Sequence, residues 1–78
     1  MIYEIQMPQE GMSMSDGDIL KWFFNVGDTV EAGQPFCEVE AAKASFPVNC
    51  PFSGKVVELL YEEGDNVPVG EVIARIEG

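Results

Sequence analysis

The segment Gly27-Asp28-Thr29-Val30-Glu31-Ala32-Gly33 returns 37 positions later as Gly64-Asp65-Asn66-Val67-Pro68-Val69-Gly70. Because glycine accepts positive φ angles and close backbone approach, glycines repeated at one spacing indicate a repeated turn geometry. The same shift sets Gly17 on Gly54 and apolar residues on apolar residues: Ile19 on Val56, Leu20 on Val57, Trp22 on Leu59, Phe36 on Ile73 and Val39 on Ile76. The sequence therefore predicts two similar halves, about 1–40 and 44–78.

Short extended segments fill both halves. Residues 1–7 alternate with the period of a β-strand, placing Tyr3, Ile5 and Met7 on one face. The pattern predicts further strands at 18–26 with Leu20, Trp22 and Phe24 inward, at 36–40, and at 44–50 with Phe46 and Val48 inward. Half a chain would form only a marginal sheet, so each half must bury its apolar face on the other. We expect one all-β domain over 1–78, a flattened β-barrel or sandwich of two pseudo-twofold-related four-stranded sheets.

The charge balance excludes several classes of partner. Four Lys and Arg residues against fourteen Asp and Glu give a formal net charge of −10. Such a chain cannot assemble the basic face that nucleic acid or an anionic membrane surface requires. It also has no apolar run near the ~20 residues that span a bilayer. We expect no nucleic-acid partner, no membrane partner, and an isolated domain that is monomeric.

Two cysteines are too few for the disulfide framework of a small secreted domain. Cys37 and Cys50 fall at packing positions of predicted strands, so we expect buried, reduced thiols. This use of cysteine is typical of a protein of the cytoplasm or an organellar matrix.

The residues of a catalytic or metal centre are missing from the composition. The chain has no histidine, which rules out Ser/His/Asp and Cys/His constellations, and its two cysteines alone fall short of a zinc site of the Cys/His type. It also lacks the spacing of a calcium loop and a glycine-rich phosphate loop. We therefore predict no catalytic residue and no metal ligand, and a chain that is not an enzyme by itself.

Lys43 stands between the two halves, at the tip of a predicted hairpin. Small residues surround it: Ala41 and Ala42 before it, Ala44 and Ser45 after it. A lysine is ordinarily a plain surface residue. This lysine's position at the midpoint of the repeat, with nothing bulky beside it, instead indicates an attachment point that another enzyme acylates with a small acid.

Several segments taken together carry a family resemblance: Met7-Pro8, Gly11-Met12-Ser13-Met14-Ser15-Asp16-Gly17, Lys21-Trp22, Val26-Gly27-Asp28, Glu38-Val39-Glu40-Ala41-Ala42-Lys43-Ala44, Pro51-Phe52-Ser53-Gly54 and Gly64-Asp65. Over almost its whole length the chain resembles the lipoyl domains of dihydrolipoyl acyltransferases. These are the swinging-arm components of 2-oxo-acid and acetoin dehydrogenase complexes, and their fold is a barrel-sandwich hybrid.

The resemblance implies a carrier. Lipoate would be joined by an amide to Lys43, with Glu40, Ala42 and Ala44 shaping the attachment hairpin. It would shuttle acyl groups and reducing equivalents between a 2-oxo-acid dehydrogenase and dihydrolipoamide dehydrogenase, after loading by a lipoate–protein ligase or lipoyl transferase. Met12 and Met14 would either anchor their loop or offer a partner-recognition surface.

One position departs from the lipoyl pattern. The family's usual context has an acidic residue directly before the lysine, where this chain has Ala42. Biotinyl domains of the same fold carry Glu-Ala-Met-Lys-Met, and Glu40-Ala41 matches their beginning while Lys43-Ala44 matches the lipoyl ending. The Gly11–Gly17 loop favours lipoate. A biotin carrier moving carboxyl groups on Lys43 and an unmodified β-sandwich interaction module are the alternatives.

Overall fold

The computed structural model describes residues 1–42 and 44–78, and these residues form eight β-strands. The strands are β1 (Ile2–Gln6), β2 (Asp16–Trp22), β3 (Thr29–Val30), β4 (Pro35–Ala41), β5 (Ala44–Asn49), β6 (Gly54–Leu59), β7 (Asn66–Pro68) and β8 (Val72–Glu77). The described residues contain no helix, and therefore no helix that is long and apolar enough to cross a membrane. The all-β prediction is confirmed.

The strands make two antiparallel four-stranded sheets, with the orders β1-β8-β6-β3 and β5-β4-β2-β7. Each sheet takes strands from both halves of the chain. The two sheets do not close into a barrel, so the sandwich part of the prediction describes the fold. Because the halves exchange strands, neither half has a complete sheet of its own.

Backbone hydrogen bonds repeat between the halves at the predicted shift. Gly27 N–H donates to Val56 O and Gly64 N–H donates to Ile19 O, at 2.8 and 2.6 Å. The four turn glycines all have positive φ: 99° and 95° at Gly27 and Gly64, 93° and 92° at Gly33 and Gly70. The repeat seen in the sequence is therefore a real pseudo-twofold symmetry of the backbone.

The chain ends lie together. Gly78 N–H donates to Met1 O, and the Met1 ammonium donates to Gly78 O, each at 3.0 Å. This Met1–Gly78 pair occupies, in its half, the place that the Ala41–Ala44 pair occupies at the end of β4 and β5. The two chain ends therefore extend the β1–β8 ladder by one pair.

The core lies between the sheets and is entirely apolar among the described residues. Its largest members are Phe36, Met7, Ile19, Ile73 and Ile76. Of the residues predicted to face inward, Ile5, Met7 and Val48 are buried, and Trp22, Phe24 and Phe46 are half-buried against the core. The alternation predicted for the first strand is confirmed.

Leu20 was predicted to face inward, and this was wrong: Ile19 is fully buried and Leu20 is 43% exposed. In the β2–β4 register Ile19 pairs with Val39 and Lys21 with Glu38, so Leu20 is an extra residue in a β-bulge. The bulge reverses which side chains face the core. The equivalent bulge in the second half exposes Val57.

The predicted strand 18–26 is also too long, since β2 ends at Trp22. The Trp22 backbone N–H donates to the Glu63 carboxylate at 3.0 Å. Three residues later a turn forms in which Asn25 N–H donates to Oδ2 of Asp28 at 2.8 Å. One more backbone bond to β4 follows, from Phe23 N–H to Phe36 O at 3.0 Å, and side-chain acceptors take over at Asn25.

Cys37 and Cys50 are free and buried, as predicted. Burial raises the pKa of the Cys37 thiol to about 12. Burial also raises the pKa of Cys50, whose Sγ donates to Phe52 O at 3.0 Å. Both thiols are therefore protonated packing groups at neutral pH.

Candidate functional site

The β4–β5 hairpin carries the predicted attachment point. Its last cross-strand pair is Ala41 with Ala44, preceded by Glu40 with Ser45. Two residues, Ala42 and Lys43, make the connection. Lys43, the predicted attachment residue, lies outside the described residues, so its neighbours define the site.

Ala42 has a φ of 55°, which makes it the only non-glycine residue with positive φ in the described chain. The favoured two-residue hairpin loops, types I′ and II′, both require positive φ at their first residue. The left-handed region costs a residue with a Cβ atom about 1–2 kcal/mol. The hairpin is therefore tight enough to hold an alanine in this conformation directly before Lys43.

The described neighbours of Lys43 in the hairpin are small or exposed. Ala42 and Ala44 are exposed, as is Glu40 two pairs into the hairpin, while Ala41 is half-buried. The two residues adjacent in sequence end at Cβ, so neither can cover a group attached between them. This setting fits a residue that another enzyme must reach.

The loop between β1 and β2 packs beside the hairpin and has an ordered internal structure. Gln9 Nε2 donates to Met14 O at 3.2 Å, and Met14 N–H donates to Gly11 O at 3.1 Å. Met14 is half-buried against the core, so it anchors the loop, which is one of the two roles expected of it. The Met12 side chain is fully exposed. A role of either methionine in partner recognition stays a prediction.

A cleft of about 320 Å³ separates this loop from the hairpin. On the loop side it is lined by residues of the segment 10–16, including Ser13 and Met14. On the hairpin side it is lined by Ala41, Ala42, Ala44 and Phe46. Two of these alanines flank Lys43 in sequence.

Acidic residues stand close to the tip of the hairpin, on β2 and β4. Asp18 lies directly opposite Glu40. Asn66 Nδ2 donates to carboxylates of Asp16 and Asp18, at 2.7 and 2.8 Å. The hydrogen bonds from Asn66 and Ser15 lower the pKa of Asp16. We call Asp16, Asp18 and Glu40 the acidic row.

The sequence prediction missed three features of this region: the positive φ of Ala42, the placement of the acidic row, and Phe46 as a wall of the cleft. The first two follow from the pairing register. A two-residue loop between paired alanines requires positive φ at Ala42, and that same register brings Asp18 opposite Glu40.

Within residues 1–42 and 44–78, no group of three His, Cys, Asp or Glu side chains could hold a metal ion.

Comparison with known proteins decides the family. A family model described as "Biotin-requiring enzyme", which covers biotin- and lipoyl-bearing domains, matches residues 3–76. The chain belongs to the biotin/lipoyl attachment family. The family resemblance drawn from the sequence motifs is therefore confirmed.

Curated relatives of this biotin/lipoyl domain are acyltransferase components. One is the dihydrolipoyllysine-residue acetyltransferase component of the Corynebacterium glutamicum pyruvate dehydrogenase complex, 44% identical over 73 residues. Another is the lipoamide acyltransferase component of the Arabidopsis thaliana branched-chain alpha-keto acid dehydrogenase complex, 36% identical over 75 residues. The matches cover 94% and 96% of this chain but 11% and 16% of those proteins. The chain thus spans a small part of the length of these relatives.

Solved structures show the same fold. The lipoyl domain of the Azotobacter vinelandii 2-oxoglutarate dehydrogenase complex aligns with a TM-score of 0.78 at 25% identity, covering 96% of this chain and 95% of that one. Kluyveromyces lactis urea carboxylase aligns with a TM-score of 0.82 at 31% identity, covering 99% of this chain and 6% of that one. An isolated lipoyl domain therefore matches this biotin/lipoyl domain from end to end.

Proposed function

We propose that this domain is a lipoyl carrier of a 2-oxo-acid dehydrogenase complex, with lipoate attached to Lys43. The observation that carries the proposal is the 44% identity, over 94% of the chain, to an acyltransferase named for its dihydrolipoyllysine residue. The end-to-end structural match to a lipoyl domain supports it. The domain would then form part of a dihydrolipoyl acyltransferase.

The residues around position 43 fit such a group. An amide between the lysine Nζ and the lipoate carboxyl requires of this chain only an approachable amine, since the ligase would supply the carboxyl in activated form with its leaving group; the exposed Ala42 and Ala44 leave the approach open. The tight β4–β5 pairing up to Ala41 and Ala44 fixes the point from which the arm starts. When bound, the dithiolane supplies the redox-active and acyl-accepting chemistry. The hairpin residues of this chain supply a fixed point of attachment.

The role of the domain is positional. Tethering a carrier to its partners raises the effective concentration of the carried group, so transfer does not depend on free diffusion. We propose a non-catalytic domain whose partners are a lipoate–protein ligase or lipoyl transferase, a 2-oxo-acid dehydrogenase and dihydrolipoamide dehydrogenase. The curated relatives, components of such complexes, support these partners. We place it in the cytoplasm or an organellar matrix, in keeping with its two free cysteines.

Coexpression with a lipoate–protein ligase and lipoate tests the proposal. Intact-mass spectrometry should show one lipoyl group on the wild-type domain and none on Lys43→Ala. Lys55→Ala is the matched control, because Lys55 is an exposed lysine on β6 and its loss should leave loading complete.

A parallel coexpression with biotin ligase and biotin addresses the alternatives. The family includes biotin-bearing domains, and Glu40-Ala41 matches their motif. We expect no mass change in this arm. Biotin on the wild-type domain would replace the proposal by a biotin carrier, and no addition with either ligase would favour an unmodified interaction module.

A further inference from the structure

Three side chains form a line across the sheet that carries the attachment hairpin. Glu40 on β4 lies opposite Asp18 on β2, and Asp18 lies opposite Asn66 on β7. The Asp18–Glu40 pair is also the pair of the β2–β4 ladder nearest the hairpin tip, one residue short of Ala41. The support that β2 gives to the hairpin therefore ends at two carboxylates of like charge.

The equivalent line in the other half has a different centre. Glu77 on β8 lies opposite Lys55 on β6, and Lys55 lies opposite Thr29 on β3. There the central side chain is a cation, which attracts Glu77 directly. In the hairpin sheet the central side chain is an anion, so any compensation within the line has to come from its third member, Asn66.

The Asn66 carboxamide provides this compensation. Its Nδ2 donates to Oδ2 of Asp16 at 2.7 Å and to Oδ1 of Asp18 at 2.8 Å, which uses both of its N–H donors on carboxylates. Hydrogen bonds to ionised acceptors are about twice as strong as neutral ones. Asp18 is half-buried, so its repulsion from Glu40 is screened less than it would be in open water. Asn66 thus stabilises the ionised Asp18 from the side opposite Glu40.

The pairing of β4 with β2 matters for modification of the hairpin. β4 lies between β5 and β2 in the sheet, and β7 lies on the far side of β2. If Asp18 separated from Glu40, the last residues of β4 would leave the sheet together with the hairpin tip. An enzyme that acylates one side chain needs that side chain at a fixed distance and direction from its own bound acyl group. A hairpin released from β2 would therefore be a poorer substrate.

We propose that Asn66 is a positioning residue for lipoylation: it keeps the Asp18–Glu40 pair closed and so holds the attachment hairpin in the sheet. The inference rests on the proposed lipoyl function and adds to it a residue outside the hairpin on which loading depends. Asn66 acts through Asp18, because it lies on β7 and not beside β4.

The initial rate of loading by a lipoate–protein ligase, followed by intact mass at low domain concentration, tests this role. Asn66→Ala should slow loading about threefold if the hairpin then stays in the sheet about a third of the time. Asn66→Asp has the same shape but adds a third carboxylate to the line, so it should slow loading further. A residue that only filled space would tolerate Asn66→Asp. Thr29→Ala, at the equivalent position of the other half, is the matched control and should keep the wild-type rate.

A rescue variant separates charge from packing. Asp18→Asn in the Asn66→Ala background removes the like-charge pair without refilling the space that Asn66 occupied, and it should restore the wild-type loading rate. In the unmodified domain, the amide hydrogens of Asp18 and Glu40 should exchange about threefold faster in Asn66→Ala and return to the wild-type rate in the double variant. Slow loading that Asp18→Asn does not restore would contradict the positioning role.

The wild-type domain is measured first, which distinguishes this inference from the proposed function. If the wild-type domain accepts no lipoyl group, the lipoyl carrier function fails and the role of Asn66 in loading fails with it. If the wild-type domain is lipoylated and Asn66→Ala is loaded at the same rate, the positioning role alone is wrong.

Discussion

Across the outer faces of the two halves, the same backbone pairs hold different charges. In the second half Lys55 lies opposite Glu77, and Arg75 bonds Glu58 and Glu4. At the positions equivalent to Lys55 and Glu77, the first half has Asp18 opposite Glu40. The half that supplies β4 of the attachment hairpin thus keeps a like-charge pair where its counterpart keeps an attractive one.

This difference distinguishes residues that the fold requires, the turn glycines and the paired strands, from exposed side chains that can change without altering the fold. The turn glycines and the strand register are the same in both halves, because they set where each strand lies. The exposed cross-strand pairs contribute only about 0.2–1 kcal/mol each, so they can diverge without loss of the fold. Four comparisons between equivalent or neighbouring positions test this division, from the largest effect to the smallest.

The largest expected effect comes from Gly54, whose counterpart is Gly17. A Cβ atom at Gly54 would lie 2.3 Å from the Glu77 backbone oxygen, whereas one at Gly17 would lie 2.7 Å from Val39 Cγ1. A side chain can rotate away but a paired strand cannot. We expect Gly54→Ala to lower the free energy of unfolding by about 3 kcal/mol or more and Gly17→Ala by about 1–2 kcal/mol. Urea denaturation measures both, and equal losses would contradict the close approach of β8 to Gly54.

The turn glycines should respond equally. At Gly27 and Gly64 nothing lies within 4 Å of an added Cβ, so only the positive φ opposes a side chain. Gly27→Ala and Gly64→Ala should each lower the free energy of unfolding by about 1 kcal/mol, measured by urea denaturation. Matching losses would support the symmetry. Losses that differ severalfold, or no loss in either variant, would count against it.

Ala42 should respond in the opposite direction. Because its φ is 55°, Ala42→Gly relieves left-handed strain and should raise the free energy of unfolding by about 0.5–1 kcal/mol. Ala44→Gly, a glycine in regular β5, is the control and should lower it by a similar amount. If Ala42→Gly also destabilised the domain, the tight turn at this position would be incorrect.

The smallest effect belongs to the charge pairs. Asp18→Asn removes the repulsion from Glu40 and leaves an acceptor for Asn66, so stability should rise by about 0.2–0.5 kcal/mol. Lys55→Gln removes the attraction to Glu77 and should lower stability by a similar amount. Both effects should shrink in 1 M salt, where the Debye length is about 3 Å. Changes of the same sign would remove the contrast between the halves.

The symmetry could be predicted from the sequence because glycine is favoured wherever the backbone needs positive φ, so glycines repeated at one spacing indicate equivalent turns. It did not predict the bulge at Leu20, since strict alternation assumes an unbroken ladder. A signal was present: Ile19 and Trp22 are both large apolar residues at positions of opposite parity, which one regular strand cannot bury on one face. The exposed Val57 shows the same break in the second half.

The attachment hairpin could be predicted from the sequence, but the cleft beside it could not. Lys43 and the hairpin strands follow from the repeat and from small flanking residues. The cleft walled by Met14 and Phe46 depends on how the β1–β2 loop folds onto the hairpin. That loop has no periodic pattern in the sequence, and its path is set by hydrogen bonds such as Val69 N–H to Ser15 O, between residues far apart in the chain.

Peptide mapping of the coexpressed, lipoylated wild-type domain tests the central claim most directly. Lys21, Lys43 and Lys55 compete for the ligase within one molecule, and Lys21 and Lys55 are both exposed on strands. We predict that tandem mass spectrometry finds the lipoyl group only on the peptide that contains Lys43. Lipoyl on Lys21 or Lys55 would contradict the hairpin as the attachment point.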